Sequence, residues 1–173
     1  MLGGNLRFSP LPVAAGAALV LATLVAVTLA DPARSRAWVR GLLAVSVAGV
    51  LALTMLGSWD GGGVANLVPG SSIRAGLAGE HALGLFNVLG NVLLFVPVGW
   101  LLALAVPRRR VLIAAVAGFG LSAAIEVTQS FLGRVVDVDD LILNGLGAVV
   151  GACLALLVRS ARRPSRLGGA GQE

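Results

Sequence analysis

Carboxyl, amide and guanidinium groups recur at helical spacing inside segments otherwise built of Ala, Leu, Val and Gly. Asn87 and Asn91 stand at i, i+4; Glu126 and Gln129 stand at i, i+3; each pair shares one helix face. Arg134 follows, then Asp137-Val138-Asp139-Asp140, with Asn144 one turn further on. Groups of these types can hydrogen-bond a polar ligand, exchange a proton as general acid or base, or offer oxygen ligands to Mg²⁺ or Ca²⁺. A carboxyl within an apolar helix is costly, which makes Glu126 a functional-site candidate by default. Established catalytic signatures are missing. The sequence holds no HExxH, no nucleophile elbow and no Gly-rich phosphate loop.

The segments that must position these groups are membrane segments. Of 173 residues, 57% are hydrophobic and 12% charged, where soluble domains carry roughly a quarter charged residues. The mean hydropathy is +0.94. A helix needs about 20 apolar residues to cross hydrocarbon, and five runs qualify: Leu11–Ala30, Trp38–Gly57, Leu85–Val106, Val111–Leu132 and Val138–Val158. None alternates with period two, so a barrel is excluded. The expected fold is all-α, a polytopic transmembrane helical bundle of about five spans. A signal peptide cleaved after Ala30 is the alternative for the first run, but such apolar regions usually span only 7–15 residues.

Arginine placement orients the bundle, since all 13 basic residues are arginine. Arg34, Arg36 and Arg40 follow the first span, Arg108, Arg109 and Arg110 the third, and Arg159, Arg162, Arg163 and Arg166 the fifth; only Arg7, Arg74 and Arg134 fall on the other side. Short basic loops stay cytoplasmic, so the N-terminus is expected outside and the C-terminus in the cytoplasm. Trp38 and Trp59 bracket the second span as interfacial anchors. The net charge of +5 sits in turns and a tail, where anionic headgroups neutralise it. No nucleic-acid-binding motif accompanies it. Cys153 is the only cysteine, so no intrachain disulfide forms.

At about 1.5 Å per residue, Asn91, Glu126 and Asn144 each lie on the order of 10 Å below the outer boundary. Three successive helices thus place polar groups in one layer, beneath Arg134, Asp137, Asp139 and Asp140. Structural roles compete with a functional one. Asp137 can N-cap the fifth helix, with Asp140 at a capping-box position, and the asparagines can be interhelical glue. Gly147 and Gly151 form a GxxxG suited to close helix packing. Pro97 removes a helical donor and predicts a kink. In the outer loop, Ser71 is a candidate N-cap for a short helix toward Ala82. His81 beside Glu80 supplies too few ligands for zinc, so no metal or cofactor site is read.

From Asn66 onward the chain resembles the VanZ-like membrane proteins. The resemblance rests on four ordered blocks: Asn66-Leu67-Val68-Pro69; Asn87 with Asn91-Val92-Leu93-Leu94-Phe95-Val96-Pro97-Val98-Gly99; Glu126-Val127-Thr128-Gln129; and Arg134 through Asp137-Val138-Asp139-Asp140 to Asn144 and Gly147. Gly70 departs from the pattern, because the family often has an aromatic there. The family takes its name from a protein that lowers susceptibility to teicoplanin. Together with the apolar runs and the Arg-, Gly- and Ser-rich tail, the resemblance divides the chain into two N-terminal helices (1–57), an extracytoplasmic loop (58–84), a three-helix VanZ-like core (85–158) and a basic tail expected to be disordered (159–173). The Arg-only, Ala/Gly-rich composition points to a GC-rich bacterium and its plasma membrane. Two functions follow as expectations. In the first, an outer-leaflet pocket of Asn87, Asn91, Glu126, Gln129, Arg134, Asp137, Asp139, Asp140 and Asn144 binds a membrane lipid, a lipid-linked envelope precursor or a lipoglycopeptide. In the second, a membrane enzyme uses Glu126 or an aspartate as acid, base or metal ligand.

Overall fold

The computed structural model describes residues 10–30, 32–55, 65–78 and 82–161. Within them the chain forms α1 (Pro10–Leu29), α2 (Pro32–Met55), α3 (Ser71–Leu77), α4 (Ala82–Ala105), α5 (Arg110–Phe131) and α6 (Val138–Ala161). No strand occurs among the described residues, apart from one isolated parallel bridge between Asn66 and Asp137. Among the described residues four stretches are long and apolar enough to cross a membrane: Ser35–Met55, Gly84–Ala105, Arg110–Phe131 and Val138–Ala161. Before them comes α1, a 20-residue apolar helix. The chain is an all-α polytopic membrane protein. Trp59, Glu80, His81 and the residues after 161 lie outside the described residues.

Local chemistry sets the helix limits. Proline opens α1 and α2, where its missing N–H costs nothing. Pro107 follows the end of α4. Past α5, Gly133 takes φ +83°, its N–H bonds Ser130 O (3.1 Å), and Arg134 N–H reaches back to Gln129 O (3.0 Å). This is a Schellman closure, which needs a left-handed residue and so favours glycine. The reversal brings Arg134 back over the last turn of α5.

Small residues let the helices approach closely. The most extensive pairing is α4 with α6, and α5 packs next on α6. A Cβ at Gly147 would fall on the Val92 carbonyl oxygen, and one at Gly151 on the Val96 carbonyl oxygen. From the opposing helix, a Cβ at Gly99 would meet the Ala148 backbone. The Gly147/Gly151 pair is thus the seam between α6 and α4. Helix α4 runs unbroken through Pro97. Phe95, Val98, Ile125 and Ala148 fill the core at one level, and Trp100, Leu101, Ala114 and Ala152 at the next. Helix α1 joins this core: Leu24 is buried, and Thr28 accepts the Trp100 Nε1–H at 2.8 Å while donating to Leu24 O. Outward faces carry exposed apolar side chains such as Phe86, Leu93, Val116 and Leu157.

Candidate functional site

Four chain segments meet at one end of the bundle: the end of α2, the first turns of α4, the end of α5 and the start of α6. Asp137 starts α6. Its Oδ1 accepts the Asp139 N–H at 2.9 Å, the bond of an N-cap side chain to the second helical amide. A capping box would have Asp140 reach back to the Asp137 N–H. Instead Glu126 Oε2 accepts that N–H, at 3.2 Å across from α5. Glu126 thus supplies the reciprocal half of the cap, and Asp140 is released from it. Asp140 turns to α4, where its Oδ1 accepts a hydrogen bond from Asn91 Nδ2.

Asp139, 0% exposed, has a different task. Its Oδ1 accepts the Gly70 N–H at 2.5 Å, and its Oδ2 accepts those of Ser72 (2.7 Å) and Ile73 (3.1 Å). These are the otherwise unpaired donors at the start of α3. Ser71 is therefore not the N-cap of the short loop helix. Gly70 holds that position, and a carboxylate 69 residues away supplies the cap. Gly70 sits at φ +83°, a conformation that disfavours the aromatic common in the resembling proteins.

The rest of the loop is tied to the same turn. Asn66 N–H donates to Val136 O (2.8 Å), and Val138 N–H donates to Asn66 O (3.0 Å). Asn66 Nδ2 donates to Asp137 Oδ1 and to Ser72 Oγ, and Ser72 Oγ–H donates to Asp137 Oδ2 at 2.5 Å. The Asn66-Leu67-Val68-Pro69 block is thus a strap bound to Asp137 and Asp139, and α3 leans on α4 where Gly76 meets Gly84.

Beneath this strap lies a cavity of about 180 Å³. Asn87 and Asn91 line it from α4, Glu126 and Gln129 from α5, Arg134 from the turn, and Asp140 and Asn144 from α6. Leu53, Leu94 and Ile125 complete the wall with Thr54. The Thr54 carbonyl, near the end of α2, accepts both Gln129 Nε2–H and Arg134 Nη1–H at 2.9 Å. These bonds fix the two long side chains at the rim. Asn144, 4% exposed, donates Nδ2–H to the buried Ser122 hydroxyl at 2.8 Å. Its Oδ1 is buried and has no hydrogen-bond partner among the described residues. Rotating the amide about its axis would exchange the two atoms and leave the NH₂ without full partners.

Seven of the nine residues expected to share a site therefore surround one cavity. Asp137 and Asp139 do not line it; they hold the strap above it. Sequence reading assigned no role to Thr54, Ser122 or Ser72. Thr54 contributes only a backbone carbonyl, which has no sequence signal. Asn66 was visible as part of a motif, without a reason for it. Among the described residues no group of three or more His, Cys, Asp or Glu could hold a metal ion. Two carboxyl groups, four side-chain amides and one guanidinium can instead give and accept several hydrogen bonds at once.

No curated protein and no solved structure matches the chain. The VanZ/LLP1 family profile matches residues 17–159, a stretch that runs from α1 through nearly all of α6 and includes both the strap and the cavity. The chain belongs to the VanZ/LLP1 family.

Proposed function

We propose that this chain is an envelope protein of the bacterial plasma membrane whose cavity binds the polar group of a membrane lipid or lipid-linked envelope precursor. Through that ligand it lowers susceptibility to teicoplanin-type lipoglycopeptides. The carrying observation is the cavity lining: Glu126, Asp140, Arg134 and the amides of Asn87, Asn91, Gln129 and Asn144 surround one small space at the end of the bundle. Together these groups can give and accept several hydrogen bonds to one polar headgroup. The cavity admits several waters or one small headgroup fragment. It is too small for a whole lipoglycopeptide, which favours the envelope lipid as the bound species. With the arginine-rich ends of the helices in the cytoplasm, the cavity opens toward the outer leaflet.

A second reading, a membrane enzyme, draws support from Glu126 and Asp140 facing the same cavity as Arg134, a pair available for acid and base roles. One experiment addresses both. Wild type and Glu126→Gln are purified from envelope membranes, their co-purifying lipids are identified by mass spectrometry, and growth is measured in graded teicoplanin. Gln keeps the volume and an acceptor for the Asp137 N–H. The expected result is loss of a specific lipid and of the susceptibility effect, with thermal stability unchanged. A chemically altered lipid that appears only with wild type would favour the enzyme. Full activity of Glu126→Gln would overturn both readings.

A further inference from the structure

The opposite end of the bundle holds a larger cavity, about 540 Å³, within the roughly 300–1,000 Å³ typical of small-ligand sites. Arg36 and Arg40 enter it from α2, Arg110 from the start of α5 and Arg159 from the last turn of α6. No carboxylate lines it among the described residues. In the neighbouring sequence, Asp31 is the single acid against Arg34, Arg36 and Arg40, and none accompanies Arg108, Arg109 and Arg110. Arg110 donates Nε–H to Val106 O at 3.0 Å, and Arg36 has a partner of its own. Arg40 and Arg159 are exposed at the cavity.

We infer that this cavity binds the phosphodiester headgroup of an anionic phospholipid, held chiefly by Arg40 and Arg159. Guanidinium groups engage phosphate oxygens in paired, charge-assisted hydrogen bonds. Cations drawn from three helices raise the potential of one concave site, and a single anion relieves their mutual repulsion. A volume of about 540 Å³ exceeds what a single inorganic anion fills and suits a lipid headgroup. Trp38, 69% exposed between Arg36 and Arg40 on α2, is an aromatic of the kind that sits at headgroup level. Val39 and Leu104 give the cavity an apolar wall that continues into exposed helix faces able to receive acyl chains. The site shares no residue with the cavity under the strap, so either can fail without the other.

The test uses the full chain in nanodiscs of equal phosphatidylglycerol and phosphatidylcholine, released into native mass spectrometry. Wild type is expected to retain one phosphatidylglycerol in preference to phosphatidylcholine. Arg40→Gln/Arg159→Gln is expected to lose that preference by roughly tenfold or more. Arg108→Gln/Arg109→Gln removes the same charge from the same end, at positions that do not line the cavity, and is expected to keep it. Unfolding in phosphatidylcholine alone checks that the variants fold, with single Arg159→Gln as the fallback on an exposed helix end. Equal loss in both double variants would reduce the effect to diffuse surface charge and overturn the site. Displacement of the lipid by millimolar inorganic phosphate would assign the site to a soluble anion and overturn the lipid.

Discussion

Adjacent carboxylates at the start of α6 divide structure from ligand contact, and exchanging each for its amide separates the two roles. Asp139 accepts three backbone N–H groups from the start of α3, one on Oδ1 and two on Oδ2. In Asp139→Asn the amide oxygen can keep the Ser72 and Ile73 bonds, but as neutral bonds, each weaker by about 1 kcal/mol. The NH₂ then faces the Gly70 N–H, donor against donor. That leaves a buried donor unpaired, at about 1–3 kcal/mol. The expected destabilisation of the strap is roughly 3–5 kcal/mol. At 1.4 kcal/mol per tenfold, amide-exchange protection of the 70–78 segment should fall by about two to three and a half orders of magnitude. Asp140→Asn keeps an oxygen that can accept from Asn91 Nδ2 and should change stability by less than about 1 kcal/mol, while removing a charge from the cavity rim. Hydrogen exchange on detergent-solubilised protein reads the strap, and growth in graded teicoplanin tests the proposed role of the cavity. Unchanged protection in Asp139→Asn, or collapse of the strap in Asp140→Asn, would refute this division.

Further outcomes follow from the helix seam and the arginine distribution. Gly147→Leu should cost more than about 3 kcal/mol and reduce folded yield, because its Cβ alone would meet the Val92 carbonyl. Gly120→Ala, with nothing within 4 Å of its added methyl, should fold as wild type; equal yields of the two variants in a detergent unfolding assay would contradict the close α4–α6 approach. For orientation, a membrane-impermeant thiol reagent on intact cells should label Leu67→Cys and spare Arg108→Cys, both in a Cys153→Ala background. The reverse pattern would place the strap in the cytoplasm and the arginine cavity outside.

The helices were legible because hydrocarbon enforces a simple rule: about 20 apolar residues with backbone bonds satisfied internally. Their exact limits were not. Helix α2 begins at Pro32 and carries Arg34, Arg36 and Arg40 on regular helix, so the apolar window starting at Trp38 marked where hydrocarbon begins rather than where the helix does. That Asn91, Glu126 and Asn144 line one cavity follows for the same reason. Rise per residue is fixed in a helix, so Asn91, Glu126 and Asn144 on antiparallel neighbours had to share a layer, and same-face spacing carried Asn87 and Gln129 with them. The loop obeyed no such rule. Ser71 has the right chemistry for an N-cap, and local reasoning had no means of seeing a carboxylate 69 residues away that does the work with three acceptor contacts.

Glu126 shows how structural and functional readings of one residue can both hold. Its Oε2 completes the cap of α6 through the Asp137 N–H, a task that any acceptor of the right length performs, glutamine included. An uncharged side chain would do this at far lower cost in a membrane helix, where ionisable groups are disfavoured. Capping therefore accounts for the position of the side chain and for its length, but not for its being an acid. Under the proposed function the remaining demand comes from the cavity side, where Glu126 stands with Asp140, Arg134 and Asn144. A carboxyl already held by α6 would lose little further freedom on meeting a ligand, so in that reading the cap would also preorganise the group for binding.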